Sequence, residues 1–147
     1  DSLFSFRCTS MCENNCNSYY VGGSDDGLID PGLMMSFPEL VMGLSRDGID
    51  TDTIEHVLIT HSHPDHFEAI ERFSGNPKVE VLMSGPEARF MEEVGMRFYP
   101  AFGLDVPEYR IDRELENGTI ELGGELFEVI ITPGHSPGSL CLYWPKE

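Results

Sequence analysis

Three of the chain's five histidines fall within six consecutive positions, in the segment Thr60-His61-Ser62-His63-Pro64-Asp65-His66. The segment follows His56-Val57-Leu58-Ile59-Thr60, a β-branched run short enough to be a buried strand. The loop after such a strand is where α/β folds hold their ligands. Side chains two apart share a face in extended chain, so His61, His63 and Asp65 are expected to face one point. Pro64 should stiffen the loop, and His66 should open the next helix and point elsewhere. Neutral imidazoles with a carboxylate form a donor set that zinc accepts, and iron also. A purification tag would be an unbroken histidine run at a terminus, not a spaced set behind a strand.

A second element, Thr132-Pro133-Gly134-His135-Ser136-Pro137-Gly138-Ser139, holds His135 in a rigid Pro/Gly turn between two runs of strand character. His61, His63 and His135 together make the open kind of zinc site, in which three protein ligands leave a position for water. His56, alone before a strand, reads as an ordinary half-exposed side chain.

The elements that must position these residues can be read from local pattern. Residues 17–22 and Leu28-Ile29-Asp30 read as strands around a turn at 23–27. Ser36-Phe37-Pro38-Glu39 is a capping-box pattern that predicts a helix from Pro38 to Arg46, stopped by Gly48. Beyond the histidine loop, a helix is expected from Phe67 to Phe73, then a strand from Val79 to Met83. Ser84-Gly85-Pro86-Glu87, a second capping box, should open a helix running towards Val94. Residues 95–110 show no period and read as loop. Thr119–Leu122 and Glu125–Thr132 form a hairpin signal around Gly123-Gly124, and Ser139–Trp144 reads as one more strand. Strands alternating with helices and then running in succession predict an α/β or α+β class.

Composition narrows the function. The chain has 147 residues, which predicts one domain over 1–147, and its 40% apolar content suffices for a core. With 26 acidic and 9 basic side chains its formal charge is −17, which argues against a nucleic-acid partner. No apolar run is long enough to span a bilayer, and the opening Asp1-Ser2-Leu3 shows no leader, so no membrane and a cytoplasmic location are expected. Cys8, Cys12 and Cys16 recur every four residues and read as ordinary thiols or one disulfide rather than a metal site. Cys141, Met34-Met35 and Phe90-Met91 are expected in the core, and Glu114, Glu116, Glu121 and Glu125 on a solvated hairpin face.

The histidine segment 61–66, the Thr132–Gly138 turn and Leu28-Ile29-Asp30-Pro31-Gly32 together resemble the metallo-β-lactamase superfamily of metallo-hydrolases, over residues 17–144. The resemblance implies a four-layer αββα sandwich with two metals at one edge of its sheets. It assigns His61, His63 and His135 to the first metal, and Asp65 and His66 to the second metal's set, with Asp65 also orienting the nucleophile. The implied cofactor is zinc, two ions per complete domain, with iron as the alternative. The implied reaction is attack on an ester, thioester or amide carbonyl by metal-held hydroxide, as in a hydroxyacylglutathione hydrolase, with a small-molecule acyl substrate. Two other outcomes stay open: an iron-dependent persulfide dioxygenase-like oxidoreductase, and a metal-binding fragment without turnover. Flavodiiron-type proteins replace the second histidine of the motif with Glu, whereas His63 is intact here.

Superfamily members continue into a Gly-Asp segment and a further histidine, and no Asp or His follows His135 in this sequence. The chain is therefore expected to hold the N-terminal half of the sandwich plus a few strands, with an apolar sheet face that invites a homodimer. Phe67-Glu68-Ala69 also departs from the small residues or Gly that many members carry there.

Overall fold

Period-two alternation sorts the apolar runs of the chain onto two faces of one sheet. The computed structural model describes residues 3–8 and 15–145. Six strands line up in the order β1 (Leu3–Phe6), β2 (Ser18–Val21), β3 (Gly27–Ile29), β4 (His56–Ile59), β5 (Glu80–Ser84) and β6 (Arg113–Leu115). The first three pair antiparallel, and β3 through β6 pair parallel. Parallel neighbours need crossover connections, and helices supply them. Helix α1 (Phe37–Arg46) joins β3 to β4. Next come α2 (Pro64–Phe67), a 3-10 turn at Glu68–Ile70 and α3 (Glu71–Ser74), which lead to β5. Finally α4 (Gly85–Glu93), a 3-10 turn at Gly95–Arg97 and α5 (Phe98–Ala101) lead towards β6. A second, antiparallel sheet follows: β7 (Gly118–Leu122), β8 (Glu125–Ile131) and β9 (Leu140–Tyr143).

Neighbouring residues of the parallel strands serve different cores. Leu28, Val57, Ile59, Val81 and Met83 pack with Leu44, Phe67, Ile70, Met91 and Tyr99 of the helical layer. Ile29, Leu58 and Leu82 face the opposite way, onto Ile120, Leu122, Phe127, Val129 and Leu140 of the second sheet. The result is helix on sheet on sheet, three layers of the expected four. The outward residues Leu126 and Ile130 of β8 are exposed, and the fourth layer is not among the described residues.

Several expectations need correction. The short edge strands β1 and β6 were not foreseen: β6 has charged residues at two of its three positions and depends on pairing with β5. The helix expected from Phe67 begins at Pro64 and breaks into short turns. Residues 95–110, read as loop, contain the turns at Gly95–Arg97 and Phe98–Ala101. Ser36 makes no capping bond, and its hydroxyl is buried without a partner. Leu140 takes the inward position on β9, so Cys141 is exposed rather than buried, and Met35 is exposed rather than core. Cys12 lies outside the described residues. Cys16 is buried, with its thiol against the carbonyl oxygen of Asp30, and burial pushes that thiol up. Among the described residues no helix is long and apolar enough to cross a membrane.

Candidate metal centre

The first ligand loop leaves β4 at Thr60 under tight control. The Asp30 carboxylate accepts from the Thr60 N–H at 2.8 Å and from its hydroxyl at 2.6 Å, and the Leu140 N–H donates to the Thr60 carbonyl at 3.1 Å. Asp30 sits at φ +53°, a left-handed conformation that Asp tolerates better than most residues. From there its carboxylate also meets His66 Nδ1 at 2.8 Å. The chain stays extended through His63, whose ψ is 145°, and turns helical at Pro64. His61 and His63 therefore share a side, as alternation requires, and Asp65 leaves it.

His135 reaches the same place from the turn between β8 and β9. Gly134 N–H donates to the Ser136 carbonyl at 3.1 Å and Thr132 N–H to Ser139 at 2.7 Å, which closes the turn. The ring centroids of His61, His63 and His135 lie 4.5 to 4.9 Å apart, with the planes at 75° to 84°. One nitrogen from each ring lies within 4.8 Å of the others. Nitrogens sharing a tetrahedral zinc stand roughly 3.4 Å apart, so a shift of about 1 Å closes the set. Edge-on rings with no hydrogen bond among them, their nitrogens turned to one point, fit a metal ion better than a hydrogen-bonded cluster.

Electrostatics agrees with that fit. Burial, helped by the neighbouring His66, lowers the His61 pKa to about 4. Burial and His135 likewise lower that of His63. Both rings are uncharged at neutral pH, so each has a lone pair to give. His66 differs. Burial opposes its charge, but the Asp30 hydrogen bond and the Asp30 and Asp65 carboxylates outweigh burial and raise its pKa.

Two positional readings are corrected. Asp65 does not converge with His61 and His63; because the chain is helical from Pro64, it lies beside His66, with Oδ2 at 3.7 Å from Nε2. His66 does not point elsewhere, since its ring stands 4.1 Å from that of His61. Asp65 and His66 thus form a second group next to the three imidazoles. His56 lies away from it, half-buried between Asp25 and Glu80.

Sequence reasoning missed the residues behind the ligands. Glu87 is fully buried, and its carboxylate accepts from the Ser62 N–H at 2.8 Å, the Ser62 hydroxyl at 2.6 Å, the Ser136 hydroxyl at 2.7 Å and the Gly138 N–H at 2.8 Å. Burial alone would raise its pKa, yet these hydrogen bonds hold it below the ordinary glutamate value. The capping-box pattern foretold only the Ser84 side: Glu87 N–H donates to the Ser84 hydroxyl at 3.2 Å. Tyr99, also fully buried, donates from its hydroxyl to the Ser62 carbonyl at 3.1 Å. Asp30 stands in the sequence as the end of a short strand and within the Leu28–Gly32 resemblance, with nothing to mark it as the partner of His66. No local signal marked Tyr99.

A helix-covered mixed sheet, an antiparallel sheet on its other face and three imidazoles from loops of both that could hold a metal ion define a layered α/β sandwich with a candidate metal site. Residues 13–147 match the family model of the metallo-beta-lactamase superfamily, and the chain belongs to that superfamily. A probable metallo-hydrolase of Methanocaldococcus jannaschii is 31% identical over 140 residues, covering 89% of this chain and 63% of that protein. The hydroxyacylglutathione hydrolase GloC of Haemophilus influenzae is 27% identical over 136 residues, covering 87% of this chain and 59% of that one. Among solved structures, the FEZ-1 metallo-beta-lactamase of Legionella gormanii is similar with a TM-score of 0.80 at 19% identity, covering 96% of this chain and 54% of its own. The chain spans about three fifths of the length of these curated relatives.

Proposed function

We propose that these residues form the metal-binding part of a zinc-dependent hydrolase that attacks an ester, thioester or amide carbonyl. The observation that carries the reading is the convergence of His61, His63 and His135, two of them held uncharged. These three would hold the first ion, and Asp65 and His66 would contribute to a second. Three imidazoles favour zinc, whereas the facial set of non-haem iron oxygenases takes two histidines and a carboxylate. When bound, zinc supplies Lewis acidity and, by lowering the pKa of water from 15.7 to about 7, a hydroxide at neutral pH.

The chain's own residues do the positioning. Asp30 engages His66 Nδ1, which leaves Nε2 turned towards Asp65. In this reading the half-buried Asp65 carboxylate would accept a hydrogen bond from the nucleophile and orient it. Likeness to a hydroxyacylglutathione hydrolase supports a thioester substrate.

The test is metal analysis of the purified full-length protein, joined to hydrolysis of a hydroxyacylglutathione thioester. Chelation should abolish turnover and added zinc should restore it, and His63→Ala should lose both metal and activity. A zinc-loaded protein inert towards ester, thioester and amide substrates would refute the hydrolase reading. Iron with oxygen consumption would favour the oxidoreductase instead.

A further inference from the structure

The two ligand-bearing loops come from different sheets, and hydrogen bonds tie them to one buried side chain. We propose that Glu87 is a positioning residue for the metal centre: its carboxylate sets the distance between the His61-Ser62-His63 loop and the His135-Ser136-Pro137-Gly138 turn. The inference rests on the proposed metal centre.

Both carboxylate oxygens are committed. Oε1 takes the Ser62 N–H and hydroxyl, on the loop that follows β4. Oε2 takes the Ser136 hydroxyl and the Gly138 N–H, on the turn between β8 and β9. Ser62 lies between His61 and His63, and Ser136 is next to His135, so on each loop at least one bond comes from a residue directly beside a candidate ligand. The turn is seated on the first turn of α4 so closely that a Cβ at Gly138 would lie 2.5 Å from Ser84 Oγ and 2.7 Å from Glu87 Cα. The Ser84 hydroxyl in turn donates to the Gly138 carbonyl at 2.5 Å. Among the described residues no cation pairs with Glu87; four donors, two from each loop, stabilise the buried charge instead.

A carboxylate is needed because all its partners donate. Glutamine keeps the shape but turns an NH₂ towards one loop, where the Gly138 N–H would face a donor. Aspartate keeps the charge but is one methylene too short to reach both loops. Removal of groups that orient metal ligands weakens metal binding by about 10–100-fold.

The experiment uses the full-length protein with cobalt(II) as the probe, its affinity read by chelator competition and its geometry by visible absorption. Glu87→Gln should bind cobalt about 10–100-fold more weakly, with an altered spectrum, and Glu87→Asp should fall between it and wild type. Ser136→Ala, which deletes one donor without stranding the charge, should weaken binding a few-fold and covers the case in which the Glu87 variants do not fold. Leu44→Ala, in the helical core away from the site, should lower stability and leave cobalt affinity unchanged. In metal-free Glu87→Gln the Ser62 and Gly138 amides should exchange faster than in wild type. Cobalt affinity and spectrum within twofold of wild type in Glu87→Gln, or an equal loss in Leu44→Ala, overturn the proposal while leaving the metal centre standing. Wild type that binds no cobalt, or His63→Ala that binds it undiminished, overturns the centre and the proposal with it.

Discussion

Replacing Gly138 with Ala adds a single carbon at the tightest point between the two sheets' contributions to the site. That carbon would lie 2.7 Å from Glu87 Cα and closer still to the Glu87 nitrogen, whereas ordinary contact begins at 3.4 Å. These neighbours are backbone at the start of a helix and cannot swing aside, so the turn itself must retreat by about 1 Å. Such a retreat stretches the 2.8 Å bond from Gly138 N–H to Glu87 and the bond from Ser84 to the Gly138 carbonyl beyond useful length. Overpacking costs about 1–3 kcal/mol, and the lost bonds, one of them to a charge, add about 2–3 kcal/mol. The sum, about 3–6 kcal/mol, is a large part of the roughly 5–15 kcal/mol that holds a domain folded. At about 3 °C per kcal/mol for a domain of this size, Tm should fall by roughly 9–18 °C. Thermal unfolding of the metal-free protein by circular dichroism reads this directly. A Tm within about 2 °C of wild type, with zinc affinity unchanged, would mean that the turn can move freely and that the cross-sheet seat does not hold His135.

Tyr99→Phe removes the donor to the Ser62 carbonyl and should cost about 1–2 kcal/mol, seen as a lower urea midpoint; an unchanged midpoint would show that bond to be dispensable. The pH response follows from the carboxylates. Glu87 and Asp112 both titrate below their ordinary values: burial opposes this in each, and hydrogen bonds overcome it, with Arg110 helping at Asp112. A depressed folded pKa stabilises fully above the unfolded value and is lost as pH falls through the folded one. Metal-free protein should therefore lose stability progressively below about pH 4.5, and Glu87→Gln should flatten that decline; a decline of equal slope in the variant would contradict the assignment.

Local chemistry was legible in the sequence, and chemistry across the sheets was not. His61 and His63 could be paired because alternation holds along extended chain, and His135 because its turn has few conformations. Alternation failed one residue later, since Pro64 starts a helical turn there. From that point the angular step per residue changes, which removes Asp65 from the three-histidine set and brings His66 against His61. Glu87 was hidden for another reason. Ser84-Gly85-Pro86-Glu87 satisfies a local pattern, while the carboxylate spends its bonds on Ser62, Ser136 and Gly138, which lie 25 to 51 positions away. Cys141 was misplaced by a single residue of register, because Leu140 rather than its neighbour takes the inward position.

The layered architecture explains why such a centre needs an anchor in the protein's interior. His61 and His63 ride on a loop of the mixed sheet and His135 on a turn of the antiparallel sheet, so any sliding of one sheet over the other changes the size of the site. The apolar contact between the sheets, through Leu58 and Leu82 on one side and Phe127 and Val129 on the other, is strong but non-directional. It fixes that the sheets touch without fixing their register to the few tenths of an ångström that coordination requires. Hydrogen bonds are directional, and charge-assisted ones are both shorter and stronger than neutral ones. A carboxylate bonded to both loops therefore supplies what packing lacks. Placed out of water's reach behind the histidines, Glu87 adds that register while leaving the side where His135 is exposed open to solvent.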